Sequence, residues 1–180
     1  MMSRLNSVVR AVGLGVLFLV AFTDSPVPAE VLVSQNLGAS AYSASSVDGS
    51  FSAALAFDGN FATDWAAASS SGWIEVDLQR SYDVTRVNYT TPQTPNGSGS
   101  ASFEMYTSSS PMQNDLTGAT KVDWGSFLTE YCVGTTLHYT GLFNSRYLQL
   151  RTTSSPLKAS WAEIQVFADV APDPVPEIDP

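Results

Sequence analysis

The sequence predicts an all-β protein, an antiparallel β-sandwich or jelly roll, and two observations carry that expectation. Segments of five to seven residues with period-2 hydrophobic alternation recur along the chain, separated by breaks rich in Gly, Ser, Asn and Pro. After residue 30 nothing shows the apolar periodicity of a long amphipathic helix. Several short strands at this spacing, joined by turn chemistry, are the pattern of a sandwich.

Each element follows from its own residues. A short helical turn is expected at 51–57, ahead of the Asp58-Gly59-Asn60 turn. In Trp73-Ile74-Glu75-Val76-Asp77-Leu78 the apolar Ile74, Val76 and Leu78 share one strand face, and Glu75 and Asp77 the other. That carboxylate pair reads as a solvated face rather than a glycosidase pair. Further strands are expected at 84–90, 103–107, 138–142, 147–152 and 163–168. Pro92-Gln93-Thr94-Pro95-Asn96-Gly97 supplies turn residues between two of them, and the Ser runs at 69–71 and 108–110 are loops.

The chain divides into three parts. Arg4 and Arg10 precede an apolar run from Ala11 to Phe22, and Val27 and Ala29 offer small residues at a cleavage site. This is the pattern of a secretory signal peptide over 1–29, and the run is short of the roughly 20 residues that cross a bilayer. A single folded domain is expected over 30–169. The segment 170–180, with Pro172, Pro174, Pro176 and Pro180 among acidic residues, cannot pair into a sheet and reads as an extended tail. Its Val175-Pro176-Glu177 resembles the opening of the PEP-C-terminal sorting signal of some exported bacterial proteins; an acidic linker is the other reading. Localisation is therefore expected to be secreted or cell-surface, by bacterial export.

Composition narrows the function. The 17 Asp and Glu against 8 Lys and Arg give a net charge of −9, and removal of the leader would make the rest one unit more acidic. Nucleic acid and polybasic membrane binding both need clustered cations that this chain lacks. Only 14% of residues are charged, against roughly 25% in an ordinary domain, so the surface polarity comes from hydroxyls and amides. Disorder is disfavoured by 4 Trp, 7 Tyr and 9 Phe. Cys132 is the only cysteine, so no disulfide forms within the chain, and a buried structural thiol is its expected role.

Two segments are more specific. Ala56-Phe57-Asp58-Gly59-Asn60-Phe61-Ala62-Thr63-Asp64-Trp65 leads into Trp73–Leu78, and Arg146-Tyr147-Leu148-Gln149-Leu150 leads into Ala162-Glu163-Ile164-Gln165-Val166-Phe167. In this order and spacing they resemble the discoidin, or coagulation factor V/VIII C-type, domain, which shares a galactose-binding-like jelly roll with family 32 carbohydrate-binding modules. The resemblance covers about residues 31–168.

Asp58-Gly59-Asn60 is a turn on its own chemistry, with Gly59 tolerating positive φ and the flanking Asp and Asn able to cap it. Asp58 then caps the turn, or Asp58 and Thr63 oxygens with loop carbonyls hold a hard cation such as Ca²⁺. The resemblance implies a structural Ca²⁺ held by Asp58, Asn60 (carbonyl), Thr63, Ala162 (carbonyl) and Glu163. It also implies a ligand surface in which Asn96 matches the family's loop Asn, Gln93 lies where a loop Arg is expected, and Trp161 offers a stacking face. Ala66 stands where galactose-type members carry a His, which separates this chain from the galactose pattern. Trp65 and Trp73 are expected in the core, Trp124 and Phe127 read either way, and Arg146 and Arg151 are expected to pair with carboxylates at strand ends.

No catalytic constellation emerges. His138 is the only histidine and lies within an expected strand; the sequence has no G-x-S-x-G elbow and no zinc spacing. The expectation is an exported, non-catalytic binding module for cell-surface or extracellular polysaccharide. The alternative is a structural or adhesive surface protein that binds protein partners or scaffolds an extracellular assembly.

Overall fold

The computed structural model describes residues 29–93, 99–129 and 134–170. They form nine strands: β1 (Ala29–Leu32), β2 (Tyr42–Ala44), β3 (Trp65–Ala66), β4 (Gly72–Thr90), β5 (Gly99–Ser108), β6 (Thr120–Thr129), β7 (Thr136–Ser154), β8 (Ser160–Trp161) and β9 (Glu163–Val170). Their pairings are antiparallel throughout, as the alternation predicted. Residues 1–28 of the leader, Asn96, Cys132 and residues 171–180 of the tail lie outside the described residues, whereas Ala29 and Val170, at the expected boundaries, pair with each other in β1 and β9.

Two strands that the sequence breaks in half are continuous. The expected strands at 73–78 and 84–90 are both parts of β4, and those at 138–142 and 147–152 are parts of β7. The β4–β7 register runs from Gly72↔Thr152 to Asp77↔Tyr147, slips, and resumes at Tyr82↔Ser145. At the slip Gln79 takes a φ of 67°, and its N–H donates to Asp77 Oδ1 at 2.7 Å. The polar residues there look like a loop in sequence but form an irregular bend inside one strand. The early half of β4 pairs with β2, and its late half with β9, which in turn carries β1. The late half of β7 pairs with β5, which carries β6. β4 and β7 thus serve both layers of the sandwich.

One apolar core fills the space between the layers. Ile74, Val76, Leu78, Met105, Leu148 and Leu150 meet Val84, Val87, Tyr89, Ile164, Val166 and Ala168 in a single cluster. Each buried Leu or Ile contributes roughly 1.5–3 kcal/mol by leaving water. The register irregularity between Val84 and Arg86 shifts the alternation, so that Val84 and Val87 both point inward.

Strand β6 was not legible from alternation. Asp123 and Gly125 interrupt it, and its large apolar residues point the other way, Trp124 being 67% and Leu128 64% exposed while Phe127 is buried. Trp65 and Trp73 are buried as expected, and their indole N–H groups donate to the Ser46 carbonyl and to Asn114 Oδ1.

Glu75 departs from expectation. It shares a strand face with Asp77, but the chain after β5 covers it: its Oε2 accepts from the Met112 and Gln113 N–H groups and from Gln149 Nε2. Buried Met112 packs there against Tyr106 and Tyr147, which is why the face is dry. Arg146 pairs as expected, bidentate to Asp77 at 2.8 and 2.9 Å. Arg151 instead donates to neutral acceptors, Gln149 Oε1 on its own strand and the Gln113 carbonyl of the covering loop.

Candidate functional site

The loops at one end of the sandwich enclose a cavity of about 620 Å³. Its floor is Ala66, Thr91, Ala101, Phe127 and Thr152, all buried. Phe51, Phe61 and Leu157, all partly exposed, also line it.

Local bonds hold these walls. Phe51 is tied to the short β3 strand, its carbonyl accepting from Ala66 N–H, while Asp48 N–H donates to the Ala66 carbonyl at 2.9 Å. Phe61 stands at the tip of the Asp58–Thr63 loop. There Asp58 Oδ1 accepts from Asn60 N–H at 2.8 Å, and Asn60 Oδ1 accepts from Ala62 N–H at 3.1 Å. Gly59 takes a φ of 79°, which a side chain would strain. Thr91 closes the side next to Gln93 through reciprocal bonds with Thr135. Phe51 remains 41% and Phe61 46% exposed, and both face the same cavity.

The polar groups of the cavity differ in their partners. Lys158 Nζ pairs with Asp48 Oδ2 at the rim. Asp64 is half-buried and, among the described residues, has neither a hydrogen-bond donor nor a cation in reach; burial alone pushes its carboxyl above the usual range. Gln93 is exposed on the lining.

A second cluster adjoins this cavity through Thr63. The Thr63 hydroxyl lies 2.8 Å from both Asp58 Oδ2 and the Asn60 carbonyl oxygen. Glu163 reaches the same loop from the start of β9. Its Oε2 accepts from Gly59 N–H at 3.0 Å, and its Oε1 from Gln35 Nε2 at 2.8 Å. Glu163 has no exposed surface, and burial pushes its carboxyl up to about 7; the two neutral donors oppose this, and the nearby Asp58 charge adds to it. Adjacent Ala162 is anchored by its N–H to the Thr90 carbonyl.

The expected residues therefore divide. Asp58, Asn60, Thr63 and Glu163 meet in one oxygen-rich cluster with Ala162 next to it, a donor set of carboxylate, hydroxyl and carbonyl oxygens that fits a hard cation. Among the described residues no group of three or more His, Cys, Asp or Glu could hold a metal, so two carboxylates would rely on neutral oxygens to complete a shell. Gln93 lines the cavity. Trp161 is corrected: it has no exposed surface, packs on Tyr89, Phe103 and Phe127, and lies beneath the cavity floor. Strand β8 pairs Trp161 with Trp65, which turns both indoles into the core. It therefore cannot stack on a ligand. His138 is an exposed strand residue whose Nδ1 lies 2.9 Å from Asn88 Oδ1.

Phe51, Phe61 and Asp64 were not foreseen as site residues. Phe51 resembles the start of a helical turn, and Phe61 and Asp64 occupy variable positions within the motif that holds Asp58 and Trp65. The available signal was two aromatics in segments too irregular to give them an inward-facing period.

The F5/8 type C domain model matches residues 41–166. A comparison with curated proteins returned no match. Among solved structures, chitosan-binding module 1 from a chitosanase/glucanase of Paenibacillus sp. IK-5 is 26% identical, with 76% of this chain and 98% of that one covered and a TM-score of 0.53. The family 32 module of C. perfringens NanJ, solved in complex with galactose, is 20% identical over 77% of this chain and 99% of that one, with a TM-score of 0.59. The family 32 module of AlyQ, solved with 4,5-unsaturated mannuronic acid, is 23% identical over 71% of this chain and 93% of that one, with a TM-score of 0.56.

Proposed function

Because the chain belongs to the F5/8 type C domain family, we propose that it is an exported, non-catalytic carbohydrate-binding module that holds an extracellular or cell-surface polysaccharide in the loop-end cavity. The observation that carries this reading is the meeting of two exposed aromatics, Phe51 and Phe61, with the unpartnered Asp64 and with Gln93 in one cavity. Sugars present apolar C–H faces and hydroxyl edges, which such walls and acceptors match. The similar modules solved with galactose and with a mannuronic acid derivative support the ligand class. A glycan array, followed by calorimetry on the best-binding glycan, tests it. Binding that Phe61→Ala weakens at least tenfold is expected, and absence of binding to every glycan would overturn it.

Asp58, Thr63 and Glu163, with the Asn60 and Ala162 carbonyls, hold a structural Ca²⁺ in this reading. Support comes from the buried Glu163 carboxylate, which faces only neutral donors and the like charge of Asp58. When bound, the ion neutralises the carboxylates and ties the Asp58–Thr63 loop, and with it Phe61, to β9. Melting in Ca²⁺ and in EGTA tests this, and an unchanged midpoint removes the metal.

The second reading is an adhesive or scaffolding role with protein partners. Exposed Trp124 and Leu128 on β6, at the end of the strand order, favour it. Self-association by light scattering with no glycan hit would select it.

A further inference from the structure

We propose that the cavity selects a cationic amino sugar, a hexosamine unit with a free ammonium group, and that Asp64 is the residue that recognises it; the inference rests on the glycan reading above. Asp48, Asp64 and Lys158 are the three charged residues of the lining. Lys158 is already engaged with Asp48, so those two charges cancel at the rim. Asp64 is left as a half-buried carboxylate with no partner among the described residues.

Several hydroxyls of the lining are committed elsewhere. The Thr63 hydroxyl is directed to Asp58 and the Asn60 carbonyl. The hydroxyls of Ser155 and Ser160 both face the Lys158 carbonyl. The Thr152 hydroxyl and the Gln93 amide also line the cavity, and neither donates to Asp64, so a ligand can supply what Asp64 lacks. The segments 94–98 and 130–133, which follow Gln93 and β6, contain no Lys or Arg in sequence. An anionic sugar would thus meet a carboxylate with no free cation beside it. A neutral sugar would supply hydroxyl donors. An ammonium would supply a charge-assisted bond, which is roughly twice as strong as a neutral one and gains further in a partly desolvated cleft. Phe51 and Phe61 would cover the apolar face of the same ring, and a cation near an aromatic face is itself favoured.

The test is calorimetry on the purified protein with four probes: a β-1,4-linked glucosamine tetramer, its N-acetylated counterpart, a galactose oligosaccharide and an oligomannuronate. The glucosamine tetramer is expected to bind at least tenfold tighter than the N-acetylated one, and the mannuronate least. Asp64→Asn should bring the glucosamine to N-acetylglucosamine ratio close to one. Asp48→Asn, which frees Lys158 while leaving Asp64 intact, should also lower that ratio. Raising NaCl from 50 to 500 mM should narrow the preference, because the attraction is ionic and the cleft partly open. If neutral or acetylated sugars bind as tightly as glucosamine, or if Asp64→Asn keeps the preference, the amino-sugar inference falls and the glycan reading stands. If Nα-acetyl-lysine amide competes as well as the tetramer, the cavity reads amines rather than sugars and the inference again falls. If none of the probes and no array glycan binds, the glycan reading falls first.

Discussion

Replacing Glu163 with Gln removes a fully buried carboxyl whose ionisation the fold opposes in the absence of a cation. An unfolded Glu titrates near 4.5, whereas in the folded chain burial carries Glu163 up to about 7. Between those values the folded state holds the proton that the unfolded state has released, so stability falls as pH rises through that window and levels off above it. The difference is worth about 3 kcal/mol for the metal-free protein. The structure allows Gln to keep both bonds: Oε1 can accept from Gly59 N–H, and the amide nitrogen can donate to a flipped Gln35 amide. In EGTA, urea midpoints of the wild type should therefore decline between about pH 4.5 and 7, and the Glu163→Gln protein should lose most of that decline and be the more stable at pH 8. A cation binding the ionised carboxylate reverses the order. At Ca²⁺ a hundredfold above its Kd the wild type gains about 2.7 kcal/mol, and the variant gains much less. A wild type in EGTA with no decline across this window, or a variant that declines equally, would mean that Glu163 is not the group whose ionisation the fold opposes.

Other consequences follow from the same geometry. Trp161→Phe removes an indole N–H that is buried without a partner, so it should change the unfolding free energy by less than about 1.5 kcal/mol and keep ligand affinity; Trp161→Ala opens the core and should cost about 3–5 kcal/mol in urea unfolding. Phe51→Ala, at a side chain 41% exposed, should lower glycan affinity in calorimetry while shifting stability by no more than about 1 kcal/mol. The Arg146 guanidinium holds the Asp77 carboxyl below the usual range, so the pair's contribution is present above about pH 4 and is lost as pH falls further. Because the pair is partly exposed, Arg146→Ala should cost about 1 kcal/mol or less at pH 7, and that cost should shrink in acid melts.

The elements legible in sequence were those whose burial is one-sided and regular. Ile74, Val76 and Leu78 alternate strictly because one face of β4 meets the core. The Asp58-Gly59-Asn60 turn was legible because its bonds are local, as Asn60 N–H to Asp58 Oδ1 shows. Where partners come from distant segments, the reading failed. Glu75 looks solvent-facing until Met112 and Gln113, some 37 residues away, cover it. Trp161 looks like a rim residue until its register with Trp65 places it in the core. The oxygen cluster was readable only through the family motif, since 104 residues separate Gly59 from Glu163 and local chemistry cannot join them. The cavity was the least legible feature, because Phe51 and Phe61 sit in irregular loops whose direction no periodicity encodes.

Whether a glycan sits in the loop-end cavity can be read from amide shift changes in ¹⁵N-labelled protein during separate titrations with the glucosamine tetramer, its acetylated form and a galactose oligosaccharide. At least one sugar should shift residues 48–51, 61–66, 91–93 and 155–160 and leave the outer face of β5 and β6 around Trp124 unmoved. Shifts centred on Trp124, or none with any of the three sugars, would contradict that placement.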